Sequence, residues 1–133
     1  AEHKTVTIFN RSEVVGRPLA VMMSNDGARV YSFDEFGPLL YEDGQAREIS
    51  ISRGDALKES DMVITGVPSK AFPKIEAEEL SPHTICLNFA TIKNFTPAAE
   101  EAAELFIPRV GPATVAMCMR NTLRLYRTYQ VKP

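Results

Sequence analysis

The stretch that follows the first apolar run carries the side chains best suited to binding a phosphate. It combines a hydroxyl at Ser12 with cations at Arg11 and Arg17. If a helix begins here, its unpaired N–H groups and the positive end of its dipole face an anion. The motif GxGxxG is absent, because only Gly16 remains and Asn10, which tolerates a positive φ, stands at the place of the first glycine. A phosphate site and an ordinary turn both fit this pattern.

Asp34 is the next residue with an evident chemical use. Asp34 follows a run of β-branched and aromatic residues and lies 22 residues after Ser12. The acid that binds the ribose in a dinucleotide fold lies at about this distance from the phosphate loop. A carboxylate there binds a free 2′-hydroxyl and repels a 2′-phosphate, so it favours NAD over NADP. An aspartate ahead of a Gly-Pro break also serves as a turn residue. On the residues alone, both interpretations of Asp34 stay open.

The sequence pattern offers no group for acid–base, nucleophilic or metal chemistry. No GxSxG motif occurs, and the two histidines, His3 and His83, have no ligand spacing with each other or with cysteines. Cys86 and Cys118 have apolar neighbours, which predicts reduced and buried thiols. We therefore predict no metal site and no catalytic residue in this chain, and we expect the reacting groups to lie elsewhere.

The composition is that of one soluble globular domain. The 133 residues are 44% apolar and 24% charged, and their net charge is −2. This balance provides no field that would hold a nucleic acid, and no run of about 18 apolar residues could span a membrane. Because no signal segment precedes the first apolar run, we expect a cytoplasmic protein with neither nucleic acid nor membrane as a partner.

Short apolar runs alternate with amphipathic segments along the chain. The apolar runs predict strands at residues 5–9, 28–33, 62–65, 84–89 and 105–107. The segments between them predict helices at residues 18–25, 55–60, 75–80 and 97–104. Turn signals in residues 35–54 surround a short alternating piece at residues 48–51, and we interpret this segment as an excursion, for which a hairpin is one form.

A long final helix is predicted from Pro112 onward. One side carries apolar residues at helical spacing, namely Val115, Met119, Leu123 and Tyr126, and the other carries Arg120, Arg124 and Arg127. The arginine side fits either a solvated face or a docking surface for another domain or subunit.

This order of elements predicts an α/β fold of the Rossmann-like, doubly wound kind. Right-handed crossovers place helices on both faces of a mainly parallel sheet. Ligands of such sheets bind beyond the carboxyl ends of the strands. We therefore expect the chemistry at residues 10–16, 34, 66–69, 90–93 and 110–114.

Two longer motifs in these segments resemble those of a known family. Residues 11–20, RSEVVGRPLA, resemble the RSxxVGxPxA signature of methylenetetrahydrofolate dehydrogenases, and residues 110–117, VGPATVAM, resemble their VGPxTxAM signature. The likeness runs over essentially the whole chain, but only to the C-terminal, cofactor-binding half of that family. Residues 31–34, 64–69, 87–90 and 93–95 resemble the monofunctional, NAD-dependent branch rather than the NADP-dependent bifunctional enzymes. Asn10 replaces a glycine of the wider family, and residues 107–109 replace its usual pair of glycines.

The resemblance implies a role for each candidate residue. Arg11 and Ser12 would face the pyrophosphate of NAD, in a cofactor-binding loop that also includes Asn10 and Gly16, and Asp34 would bind the adenine ribose. Gly66, Val67 and Pro68 would lie on the adenosine side, Ala90, Thr91 and Thr114 near the nicotinamide, and Gly111 and Pro112 beside the folate pterin. The family's catalytic tyrosine and lysine belong to an N-terminal domain outside these residues.

The leading hypothesis is that residues 1–133 form a single NAD-binding domain, the C-terminal part of a longer methylenetetrahydrofolate dehydrogenase. NAD would accept a hydride from the one-carbon bridge of methylenetetrahydrofolate, and this chain alone would be inactive. The N-terminal catalytic domain and a second copy, in a homodimer, are the expected protein partners. The alternatives are an NADP-dependent bifunctional dehydrogenase/cyclohydrolase domain and a nucleotide-binding module without catalysis.

Overall fold

Seven strands form one sheet in the part of the chain that the structure describes. The computed structural model of the protein describes residues 4–10, 16–34 and 37–108. The strands are β1 (Thr5–Phe9), β2 (Arg29–Asp34), β3 (Gly37–Glu42), β4 (Gln45–Glu48), β5 (Met62–Thr65), β6 (Ile85–Asn88) and β7 (Leu105–Pro108), in the order β4-β3-β2-β1-β5-β6-β7. β1 is parallel to β2 and β5, and β6 is parallel to β5 and β7. β3 is antiparallel to both of its neighbours, β2 and β4. The predicted doubly wound, mainly parallel sheet is confirmed.

Among the described residues, three helices cover the two faces of this sheet: α1 (Gly16–Asn25), α2 (Arg53–Glu59) and α3 (Pro97–Ala102). Successive strand residues point to opposite faces, so each strand contributes to two separate cores. On one face, α1 buries Leu19 and Met23 against strand residues such as Ile8. On the other face, Leu57 of α2 and Ala99 of α3 are fully buried with further strand residues. Helices on both faces were predicted and are confirmed.

The end of α1 fixes the hairpin formed by β3 and β4. Gly27 has a φ of +99°, and the N–H of Ala28 donates to the carbonyl of Met23 across it at 3.0 Å, which is a Schellman cap. The hydroxyl of Ser24, in the last turn of α1, accepts from the N–H of Gly44 in the hairpin turn at 2.8 Å. The predicted helix end at residues 25–27 is confirmed, and the predicted hairpin joins the edge of the sheet beside β2.

Arg53, the first residue of α2, ties this helix to the segment before β6. Its guanidinium donates to both carboxylate oxygens of Glu79, at 3.0 and 2.9 Å, and to two backbone carbonyls at 2.7 and 3.1 Å. The same guanidinium lies over the rings of Phe9 and Phe72, 5.6 and 5.2 Å from their centroids. Arg53 therefore connects α2, the end of β1 and the chain that follows β5.

The predicted helix over residues 75–80 is wrong, because only a 3-10 turn at Ala77–Glu79 forms there. Ile75 is held in an extended bridge by its N–H bond to the carbonyl of Asn94, at 2.8 Å, and by its carbonyl bond to the N–H of Thr96. Leu80 is also extended, with φ −90° and ψ 147°. Pairing with a distant segment thus outcompetes the helical preference of these residues.

The short alternating piece at residues 48–51 does not continue as a strand, since β4 ends at Glu48. Ile49 and Ile51 instead pack against the buried cluster of Tyr31, Leu40 and Ala56. Their alternation therefore marks a buried side of the chain rather than pairing in a sheet. Within the described residues, the other predicted elements occur, with ends that agree with the prediction or differ from it by one or two residues.

Cys86 is a free, fully buried thiol in the middle of β6, as predicted. Burial raises its pKa from an ordinary 9.0 to about 12, because the thiolate cannot be solvated there. A thiol with so high a pKa is unreactive, so Cys86 acts as a core residue. Cys118 lies outside the described residues.

Candidate functional site at the carboxyl edge of the sheet

Three of the predicted site residues lie side by side at the carboxyl ends of three parallel strands. The last common rung of the sheet joins Phe33, Phe9, Thr65 and Asn88 of β2, β1, β5 and β6. The residues that follow Phe33, Phe9 and Thr65 on this edge are Asp34, Asn10 and Gly66. The structure therefore brings together residues that are far apart in the sequence.

The centre of this row is the point where the direction of the chain connections changes. β1 lies between β2 and β5 in the sheet. The connection from β1 to β2 contains α1, which packs on one face of the sheet. The connection that leads into β5 contains α2, which packs on the opposite face. A crevice between diverging connections is where doubly wound sheets bind their ligands. Asn10 and Gly66 lie at this switch point.

Asn10 bonds across the switch point to the loop after β5. It is 9% exposed, and its Nδ2 donates to the carbonyl of Gly66 at 3.0 Å. Its Oδ1 lies against the first residue of α1, where a Cβ on Gly16 would be 2.5 Å away. Gly16 is therefore required by this close approach. Asn10 does not have the positive φ of a substituted glycine, since Asp43 and His83 are the non-glycine residues with positive φ among those described.

The start of α1 suits an anionic ligand. This ten-residue helix begins at Gly16, beside Asn10, and its first turn contains no acidic residue that would repel a phosphate. The positive end of a helix dipole favours such a ligand. The residues present thus fit the phosphate end of a dinucleotide at this edge.

The loop after β5, which contains Gly66, Val67 and Pro68, is held from several sides. The N–H of Gly66 donates to the carbonyl of Phe9 at 2.8 Å, which continues the sheet by one bond. Both backbone polar groups of Val67 bond to the side chain of Asn94, at 3.1 and 3.0 Å. Asn94 was not predicted as a site residue. The sequence feature that could have identified it is an asparagine placed between the apolar residues Ile92 and Phe95.

A second amide organises the loop after β6. The Oδ1 of Asn88 accepts from the N–H of Ala90 at 2.9 Å, and its Nδ2 donates to the carbonyl of Ile92 at 3.1 Å. A cavity of about 310 Å³ lies beside this loop and is lined by Asn88, Ala90, Thr91, Ile92, Lys93, Glu100 and Phe106. The predicted residues Ala90 and Thr91 therefore border an open space at the carboxyl edge.

One buried hydroxyl near the site has no hydrogen-bond partner. Among the described residues, the hydroxyl of Thr65 is the buried side-chain polar atom without a hydrogen-bond partner. It lies on the last common rung, next to Phe9 and Asn88. Buried polar groups without a partner are uncommon in native proteins.

Within the described ranges, no group of three or more His, Cys, Asp and Glu side chains is placed to hold a metal ion. In the same part of the chain, no helix is both long and apolar enough to cross a membrane. Five predicted site residues lie outside the described residues, namely Arg11, Ser12, Gly111, Pro112 and Thr114, and so does the predicted helix from Pro112.

Comparison with known proteins supports the resemblance found in the sequence, although no protein-family model matches the chain. Proteins named methylenetetrahydrofolate dehydrogenase [NAD(+)] from Dictyostelium discoideum and Saccharomyces cerevisiae are 42% and 39% identical over 129 and 140 residues. The alignments cover 92% and 96% of this chain, but 41% and 43% of the relatives. The chain thus spans less than half the length of the curated relatives that it matches, in their C-terminal part.

Solved structures give the same result. The NAD-dependent 5,10-methylenetetrahydrofolate dehydrogenase of Saccharomyces cerevisiae is 38% identical with a TM-score of 0.74, over 97% of this chain and 44% of that one. A 5,10-methylenetetrahydrofolate dehydrogenase from the silkworm Bombyx mori, 23% identical over 98% of this chain and 46% of that one, shares the fold with a TM-score of 0.63.

Proposed function

We propose, from the premise that this chain is homologous to the C-terminal part of NAD-dependent methylenetetrahydrofolate dehydrogenases, that it is the domain that binds NAD for such an enzyme. The observation that carries this proposal is the row of Asp34, Asn10 and Gly66 at the switch point of the sheet. The acid-free first turn of α1 lies at the same edge. A dinucleotide needs both features, one for its ribose and one for its pyrophosphate.

In this proposal each segment of the edge holds one part of the cofactor. Asn10, Arg11, Ser12 and Gly16 form the pyrophosphate loop, Asp34 binds the adenine ribose, and Gly66, Val67 and Pro68 border the adenosine. Ala90, Thr91 and Thr114 lie near the nicotinamide, and Gly111 and Pro112 near the pterin. When bound, NAD supplies the acceptor for the hydride that leaves the one-carbon bridge of the folate, which becomes methenyltetrahydrofolate. The chain's own residues orient the cofactor and exclude water from it.

The rest of the active site is proposed to come from the part of the relatives that this chain does not span. Positioning two reactants against each other provides much of an enzyme's rate, so a chain that holds one of them is expected to be inactive. Purified chain with NAD and methylenetetrahydrofolate should form no NADH above the background rate. Measurable turnover by this chain alone would contradict this part of the proposal. A homodimeric assembly and a cytoplasmic location stay predictions.

Titration calorimetry tests the cofactor assignment. NAD should bind to the chain more tightly than NADP, because the carboxylate of Asp34 would repel a 2′-phosphate. Equal or tighter binding of NADP would favour an NADP-dependent domain. The chain is also 27–28% identical to proteins named bifunctional protein FolD, so a domain of a bifunctional enzyme is the second candidate. Absence of binding to either dinucleotide would overturn the proposal.

A further inference from the structure

Asn94 makes an unusual pair of hydrogen bonds across the carboxyl edge of the sheet. Its side chain is buried, with the residue 1% exposed. Its Oδ1 accepts from the N–H of Val67 at 3.1 Å, and its Nδ2 donates to the carbonyl of the same residue at 3.0 Å. The carboxamide therefore pairs with Val67 as a neighbouring strand would, one residue beyond the point where β5 and β6 separate.

The backbone of Asn94 is itself fixed. Its carbonyl accepts from the N–H of Ile75 at 2.8 Å, and the next residue, Phe95, is fully buried in the core on the α3 face. Phe95 also forms a parallel bridge with Ile75. Because the main chain is anchored from its carbonyl through Phe95, Asn94 holds Val67 against a fixed support.

The peptide between Gly66 and Val67 is held at both ends by asparagines from different segments. Its carbonyl accepts from Nδ2 of Asn10 at 3.0 Å, and its N–H donates to Oδ1 of Asn94 at 3.1 Å. Asn10 follows β1, whereas Asn94 follows β6. The orientation of this peptide is therefore set by two flanking parts of the candidate site and not by the loop itself.

We infer that Asn94 is a positioning residue for NAD: it fixes the plane of the Gly66–Val67 peptide, and with it the loop surface that borders the adenosine. This inference rests on the proposed function. A purely structural role would require only that the buried polar groups of Val67 be bonded. A positioning role requires in addition that cofactor affinity follow the donor and acceptor pattern of residue 94 while the chain remains folded.

Asn94→Asp separates these roles, because the carboxyl changes its bonding pattern with pH. A carboxylate accepts from the N–H of Val67 but has no proton to donate to the carbonyl, whereas the protonated acid does both, as the amide does. The NAD affinity of the variant should approach the wild-type value at low pH and fall by about tenfold or more as the carboxyl ionises. Lys93 adjoins Asn94 in the chain, and Lys74 and Glu76 adjoin its partner Ile75. These charged residues are also present in the wild type, so dividing the NAD affinity of the variant by that of the wild type at each pH removes their effect on binding.

Asn25→Asp is the matched control, since it makes the same change at the end of α1, which runs antiparallel to β1 and so ends at the opposite edge of the sheet. Its NAD affinity should follow the wild type at every pH. Asn94→Gln keeps both polar groups but moves them by one methylene, and it should weaken NAD binding without adding a pH dependence. Circular dichroism in the same buffers identifies conditions in which a variant is folded.

Two outcomes overturn the inference. In one, folded Asn94→Asp loses affinity equally at all pH values, or loses none. In the other, Asn94→Gln binds NAD as the wild type does, which decides the matter even if Asn94→Asp fails to fold. In either case the wild type still binds NAD and the proposed function stands. If the wild type binds no NAD, the proposed function and this inference both fail.

Discussion

The ring of Phe89 packs directly against the Cα of Gly66, so that a Cβ on residue 66 would overlap the ring carbons. Phe89 itself packs against the core on the α1 face, which limits how far it can move. The glycine is therefore required by a close approach between two loops and not by a positive φ, which Gly66 does not have. This contact joins the proposed adenosine loop to the proposed nicotinamide loop.

Gly66→Ala should destabilise the domain by about 1–3 kcal/mol, because the added methyl forces the ring or the loop to shift. Urea unfolding monitored by circular dichroism measures the change. Gly54→Ala is the matched control: nothing lies within 4 Å of a Cβ there, and alanine is the better helix former, so stability should stay equal or rise. Phe89→Leu, which removes the ring, should make the cost of Gly66→Ala smaller. A fully additive double variant would contradict the proposed contact.

Asp34→Ser tests the ribose assignment. If the carboxylate accepts hydrogen bonds from the adenine ribose, NAD binding should weaken by about 1.5–3 kcal/mol, the range for a bond to a charged group. The preference for NAD over NADP should also decrease, because the substitution removes a charge that repels the 2′-phosphate. Calorimetric titration of both cofactors into both proteins measures these effects. If both affinities stay within about twofold, far below the tenfold that 1.4 kcal/mol represents, Asp34 is a turn residue only.

The pair of Arg53 and Glu79 should stabilise the fold measurably. Both side chains are largely shielded, 22% and 27% exposed, and the two bonds between them are bidentate. A double-mutant cycle with Arg53→Leu and Glu79→Gln should give a coupling of about 1–2 kcal/mol. The exposed pair of Arg47 and Glu42, at 67% and 38%, is the control and should couple more weakly. Equal coupling in the two cycles would show that the shielding has no effect.

The buried thiol of Cys86 should make stability fall at alkaline pH. Because its folded pKa, about 12, lies above the unfolded value near 9.0, its contribution is complete below pH 9 and is lost as pH rises between these values. The loss is at most about 1.4 kcal/mol per pH unit. Unfolding curves of the wild type and of Cys86→Ala, recorded from neutral to alkaline pH, should differ in slope above pH 9. Parallel pH dependences would show that the thiol is solvated in the folded state.

Short-range patterns in the sequence were sufficient to predict most of the elements. The β-branched run of β1 and the glycine that caps α1 act through local sterics and burial, so their effects can be read from neighbouring residues. The same reading failed at residues 75–80, where bonds to the chain around Asn94 override the local preference. The order of elements placed Asp34 at the end of the second strand, and the structure has it at the end of β2, while its contact with a cofactor stays a prediction.

The sequence by itself determined the class of fold and the resemblance to a family of dehydrogenases, and it predicted the edge of the sheet at which the candidate site lies. Only the tertiary structure decided how the site is held together. Asn10 bonds to Gly66 across 56 positions of the chain, and Asn94 bonds to Val67 across 27. These partners meet because β5 lies between β1 and β6, and strand order depends on which apolar faces the packed helices bury together. No local pattern of residues encodes that order, and so the supports of the site could not be predicted.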